Sequence, residues 1–124
     1  MLETKPIKSF TDLEVWRKSH TLVLMTYTAT KKFPKDELFA LVSQMRRAAI
    51  SITSNIAEGF SRQSYKEKVQ FYSMAHGSLT ELQNQLLIAK DVGYLEKDMF
   101  NKISLQSVDV HKLINAFIKK TKSF

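Results

Sequence analysis

The chain has 124 residues, 44% of them hydrophobic and 25% charged, the balance of one globular domain with room for a core. Cysteine is absent, which excludes disulfides, thiolate metal sites and a thiol nucleophile. Lys and Arg total 19 against 12 Asp and Glu, and the resulting charge of +7 favours acidic partners, nucleic acid first, with a merely soluble basic protein as the plain alternative.

Only three Gly and two Pro interrupt the chain, so the expected elements are few and long. Residues 1–10 contain Pro6 and no periodicity, and read as an irregular lead-in with Phe10 as an apolar anchor; residues 11–124 read as one domain. Thr11 to Glu14 has the form of a capping box, with Thr11 at the N-cap. A first helix is expected to about Lys32, with Leu13, Trp16, His20, Val23, Leu24 and Tyr27 recurring at helical spacing and Phe33-Pro34 ending it. A second helix is expected from about Asp36, with Gly59 near its end as a C-cap.

Ser64 to Glu67 is a second capping-box pattern, opening a third helix to about Val92. Its core stripe takes in Phe71, Met74, Ala75, Leu79, Leu82, Leu86 and Ala89, and Gly93 is the stop signal. A fourth helix is expected from about Lys97 to Thr121, led by Phe100, Ile103, Val110, Ile114 and Phe117, with Leu105 and Val108 off that line. No segment alternates as a strand would. Short connections between four long helices predict an all-α, up-down-up-down antiparallel four-helix bundle. The first ten residues hold no apolar run of signal-peptide length, and no stretch approaches the roughly 20 apolar residues of a transmembrane helix. The expectation is therefore a cytoplasmic protein with no membrane partner.

The second helix departs from the usual amphipathic pattern. At about 100° per residue, Leu41, Met45, Ala48, Ile52 and Ile56 share one apolar stripe. Beside it, rather than opposite it, runs a polar stripe of Gln44, Arg47, Ser51, Asn55 and Glu58. Polar groups at the edge of a core meet a neighbouring helix, so they are expected to lock helix register or a contact between subunits.

The sequence resembles the bacterial four-helix bundle family of 23S ribosomal RNA intervening-sequence proteins. The resemblance rests on Phe10-x-Asp12-Leu13-x-Val15-Trp16, on Phe33-Pro34 with Glu37, and on Gln44-x-Arg46-Arg47-Ala48-x-x-Ser51-Ile52. It continues through Ser54-Asn55-Ile56-Ala57-Glu58-Gly59-Phe60 and Ala75-x-Gly77-Ser78-x-x-Glu81-Leu82, and covers about residues 10–95. It implies a ring-like homopentamer of bundles and no enzymatic activity or cofactor. The family's name comes from the genomic position of its reading frames within ribosomal RNA inserts. The fold is also similar to the accessory variability determinant of diversity-generating retroelements, a basic protein that works with nucleic acid and a reverse transcriptase. RNA or DNA, and a reverse transcriptase, are the partners this likeness raises, although nothing in the chain itself assigns it to that system.

Counting outward from the turn near Ser61 places Arg47 beside Ser78 and Gln44 beside Glu81. An Arg47–Glu81 ion pair is expected, with Gly77 allowing close approach of the two helices. Arg46 points about 100° away from Arg47 and is expected to face outward, near an exposed Ile50 flanked by Ser43 and Thr53 that suits a subunit contact. Two basic clusters lie at turns: Lys31, Lys32 and Lys35, and Arg62, Lys66 and Lys68. Repeated around a ring, either could hold phosphate backbone without reading sequence; the plain reading is solvated loop cations.

His20, His76 and His111 lie on different helices and in no metal-ligand spacing, so no metal site is expected. The serines lack nucleophile-elbow glycines, and the glycines form no phosphate loop. Two functions stay open: a non-enzymatic oligomer that engages nucleic acid, and a protein-binding adaptor whose charge only confers solubility.

Overall fold

The computed structural model describes residues 6–124, and four α-helices carry most of them. They are α1 (Glu14–Thr30), α2 (Ser43–Ser61), α3 (Tyr65–Asp91) and α4 (Lys97–Lys122). Each helix packs on two others: α2 on α1 and α3, and α4 on α3 and α1, with α2 against α3 the most extensive pairing. Antiparallel order is visible in the cross-links, since Ser51 meets Ser78, Gln83 meets Ser107, and Gln106 reaches Lys18. There are no strands among the described residues. This is the expected four-helix bundle. The core is filled by Leu22, Met45, Ile52, Ile56, Leu79, Leu82, Leu86, Ile103, Val110 and Ile114, all fully buried. Each such side chain contributes about 1.5–3 kcal/mol by leaving water.

The entrance to α1 differs from expectation. The capping box forms two residues earlier, on a single 3-10 turn, Phe10–Asp12. Ser9 is its N-cap, and the Asp12 carboxylate accepts from the backbone N–H groups of Lys8 and Ser9 at 2.9 and 3.1 Å. Leu13, with no side-chain cap, precedes α1. Phe10 anchors the entrance against Trp16, ring centroids 5.3 Å apart. Of the lead-in over 1–10, residues 1–5 lie outside the described residues.

The buried face of α1 is also rotated from the expected one. Leu24 is 55% exposed and His20 is exposed, whereas Val15, Ser19, Leu22, Val23, Thr26, Ala29 and Thr30 face inward. The reason is that Ser19, Thr26 and Thr30 each donate their hydroxyl to the carbonyl four residues back, at 2.7–2.8 Å. A hydroxyl satisfied on its own helix packs as a small core group.

Phe33-Pro34 ends the first arm as expected, with Phe33 buried against Tyr94. The second helix, however, begins at Ser43 rather than Asp36. A 3-10 turn (Lys35–Glu37) and a π-type turn (Leu38–Val42) come first, and Ala40 leaves helical geometry at φ −122°, ψ −105°. The widened turn shifts the phase of the chain, leaving Phe39 93% exposed and Leu41 half-buried.

Gly59 is not the C-cap of α2; it is buried inside the helix, and Arg62 is the cap. Ser64 caps α3 by accepting from the N–H of Glu67, but the expected capping box is only half formed because the Glu67 carboxylate lies near Arg62; Gly93 ends that arm at φ 86°, as expected. In α3 the inward residue is Tyr72, with Phe71 only half-buried and Met74 49% exposed. Leu105 and Val108 of α4 stay outside the core, at 70% and 43% exposure.

Candidate nucleic-acid interface

The polar stripe of α2 divides into two parts. Ser51 Oγ meets Ser78 Oγ at 2.8 Å, and Asn55 Nδ2 donates to the Ser51 carbonyl at 2.9 Å and to its hydroxyl at 3.1 Å. That half is a register lock between α2 and α3. Gln44 and Arg47 are exposed, and the Arg47–Glu81 ion pair does not form. Glu81 is exposed and accepts instead from Gln85 Nε2 at 3.2 Å. The register differs from the expected one by one helical turn: Ser78 faces Ser51, four residues beyond Arg47, because the chain reverses over residues 62–64, past Ser61, before α3 starts at Tyr65. Gly77 is exposed, and a Cβ there would meet nothing within 4 Å, so it brings no helices together.

Arg46 does not face outward. Its Nε donates to Thr30 Oγ1 at 3.0 Å and its guanidinium carbon sits 4.5 Å from the Tyr27 ring centroid, which ties α2 to α1. Beyond it, Leu38, Phe39, Ile50 and Arg47 border an open concavity of about 700 Å³ on the outer face of α2. Ile50 is 41% exposed, as expected.

Of the cluster Arg62, Lys66 and Lys68, two cations are already engaged. Arg62 bonds Glu58 at 2.9 Å, lies 3.8 Å from Glu67, and covers the Phe71 ring. Glu58 of the polar stripe is thus a partner for Arg62. Lys68 Nζ donates to the carbonyls of Gly59 and Phe60 at 3.3 and 2.7 Å. It thereby closes the negative end of α2. Lys66 remains exposed and unpaired among the described residues.

The fold adds cations that have no role in the sequence reading. The last turn of α4 brings Lys119, Lys120 and Lys122 to the end of the bundle where α3 begins. All three are exposed, and none takes part in an ion pair among the described residues. The signal was present as a Lys-Lys-x-Lys run, but only antiparallel packing sets it next to Lys66. The opposite end is different. Lys31, Lys32 and Lys35 are exposed there, but Asp36 and Glu37 follow directly and Asp91, Glu96 and Asp98 enter from the α3–α4 connection. Charges of both signs stand on that rim; the other end holds Glu14, Glu58 and Glu67 as well, but Glu58 and Glu67 lie against Arg62, so its lysines keep the stronger positive potential.

His76 on α3 and His111 on α4, unrelated in sequence, stand with ring centroids 4.7 Å apart. His20 stacks on Trp16. Among the described residues no three His, Cys, Asp or Glu side chains gather as metal ligands would, and no helix is long and apolar enough to cross a membrane.

A family model described as 23S rRNA-intervening sequence protein matches residues 11–116. The chain is similar to a solved structure from Bacteroides thetaiotaomicron, described as a protein with unknown function from the S23 ribosomal protein family. The two share 23% identity over 85% of this chain and 98% of that one, with a TM-score of 0.79, a likeness of fold. No curated protein matches the chain.

Proposed function

The chain belongs to the 23S rRNA-intervening sequence protein family, and from its surface we propose a non-enzymatic, oligomeric helical bundle that binds nucleic acid through the end where α3 begins and α4 stops. The observation that supports this is the group Lys66, Lys119, Lys120 and Lys122, exposed together with no carboxylate paired to any of them among the described residues. Ammonium groups held this way exchange condensed counterions for phosphates, a binding mode that is strong at low salt and indifferent to sequence. Lys31, Lys32 and Lys35 form the weaker rim because Asp36, Glu37, Asp91, Glu96 and Asp98 stand among them, whereas two of the acids at the other end, Glu58 and Glu67, are taken up by Arg62.

The oligomeric part of the reading rests on Leu38, Phe39 and Ile50, apolar side chains exposed around one concavity. A ring of copies, as the family resemblance implies, would cover them and repeat the basic end around one rim.

A salt titration of binding to generic RNA and to duplex DNA tests the proposal. Affinity is expected to fall steeply with salt, with a slope of about −0.9 per phosphate contacted on duplex DNA. Changing Lys66, Lys119, Lys120 and Lys122 to Gln should flatten that slope, and changing Lys31, Lys32 and Lys35 should flatten it less. Absence of binding at low salt overturns the proposal and leaves the adaptor reading.

A further inference from the structure

We propose that the cleft between the first turns of α3 and the end of α4 is a base-stacking subsite for single-stranded nucleic acid. The inference rests on the nucleic-acid reading above and narrows it to unpaired strands.

Tyr65 and Phe124 form the floor. Their rings are stacked, 5.3 Å apart and 18° from parallel, yet they are 51% and 72% exposed. A stacked aromatic pair with outer faces in water is unusual where a bundle needs only a closed end. Among the other Phe, Tyr and Trp side chains only Phe39, on α2's side of the bundle, is exposed, while Phe10, Trp16, Phe33, Phe71 and Phe117 are all at least half-buried. The cleft that Tyr65 and Phe124 border holds about 390 Å³. That lies within the roughly 300–1,000 Å³ range of small-ligand clefts. Lys66 and Lys122 stand on its two sides and no Asp or Glu side chain lines it. Gln70 also lines it, and its amide has no hydrogen-bond partner among the described residues.

These features select one class of occupant. Cations without acidic side chains between them call for an anion. A flat aromatic face beside them calls for a flat group joined to that anion. A free donor-acceptor amide calls for a polar edge on the flat group. A nucleotide unit carries all three. In a duplex both faces of every base are already covered by neighbouring base pairs, so only an unpaired base can extend the Tyr65–Phe124 stack. Every base has such a face, so the subsite tolerates sequence, and both RNA and DNA single strands fit.

The test is fluorescence anisotropy of the full-length protein with labelled oligo(U), oligo(dT) and a mixed-sequence duplex of the same length, at one low salt concentration. Tyr65→Ala and Phe124→Ala are expected to weaken both single strands about tenfold while changing duplex affinity less than about twofold. Tyr65→Phe keeps the ring and should keep single-strand affinity; it also separates loss of stacking from any loosening of the α3 start. Lys66→Gln with Lys122→Gln should weaken single strands and duplex alike. Single-strand binding that ignores Tyr65→Ala and Phe124→Ala overturns the subsite and leaves the basic-end proposal standing, as does an equal loss on single strands and duplex. No binding of any of the three probes by the wild type overturns both.

Discussion

Gly59 lies against the face of Tyr72 so closely that a Cβ added to it would come within 2.6 Å of Tyr72 Cε1 and 2.9 Å of Phe71 Cβ. The close approach of α2 and α3 therefore depends on Gly59, and Tyr72, itself wedged against Phe117, cannot give way easily. Gly59→Ala is expected to destabilise the bundle by about 1–3 kcal/mol, the usual penalty for overfilling a packed site. Gly77→Ala, on the exposed face of α3 where a Cβ meets nothing, is expected to stabilise by up to about 1 kcal/mol through backbone entropy. Urea unfolding of both variants at matched protein concentration checks the pair. Equal effects of the same sign would show that the helix contact does not depend on Gly59.

Adjacent arginines on α2 should respond differently to the same change. Arg46 is held by Thr30 and Tyr27, so Arg46→Ala removes a charge-assisted hydrogen bond and a cation–π contact and should cost about 1–3 kcal/mol. Arg47 is exposed and has no ion-pair partner among the described residues, so Arg47→Ala should stay within about 0.5 kcal/mol. Thermal or urea melts that rank the two in the opposite order would place the α1–α2 tie elsewhere.

What could be read in advance follows from how local each signal is. Gly93 ends α3 because a positive φ suits glycine, and Leu105 and Val108 fall outside the core because of simple helical phase; both are properties of short windows. The buried face of α1 was hidden because Ser19, Thr26 and Thr30 count as polar on any hydropathy scale but satisfy themselves on their own backbone. α2 starts at Ser43 and not at the expected Asp36 because a π-type turn has no residue signature of its own. The register of α2 on α3 depends on where the chain reverses, and an error of one turn there produced the Arg47–Glu81 pair in place of Ser51–Ser78. The basic end was only partly legible. Lys66 could be picked out, but its association with Lys119, Lys120 and Lys122 is created by packing across more than fifty residues of chain.

His76 on α3, packed beside His111 of α4, makes stability depend on pH. Burial first, and the neighbouring His111 second, hold His76 below the ordinary histidine value of 6.5. No carboxylate is ion-paired with either ring among the described residues. The unfolded chain therefore takes up this proton at a higher pH than the folded one, and protonation favours unfolding. This part of the stability is intact above about pH 6.5 and is lost as pH falls from there towards the lower folded value. The Asp12 carboxylate, held low by backbone N–H groups of Lys8 and Ser9, acts in the other window, losing its contribution only as pH drops below 3.8. Urea midpoints should decline between pH 7.5 and 5.5, and His76→Gln should flatten that decline. A variant that keeps the full wild-type dependence would assign it to other groups.

The concavity on α2 predicts how copies associate. Phe39 is 93% exposed, Leu38 46% and Ile50 41%, all bordering one open hollow of about 700 Å³ with Arg47 at its edge. Covering one phenyl ring is worth about 1.5–3 kcal/mol per contact. In a closed ring every protomer gives and receives that contact, so the loss on mutation is multiplied by the number of copies. Phe39→Asp and Ile50→Asp place a carboxylate in the seam at surface positions where the isolated bundle has no need of the apolar group. Light scattering on a sizing column is expected to show a multimer for the wild type and a protomer for either variant, with helical content unchanged. A wild-type chain that runs as a protomer at tens of micromolar, or variants that keep its multimeric mass, would remove this face from the assembly and with it the repetition that strengthens the basic rim.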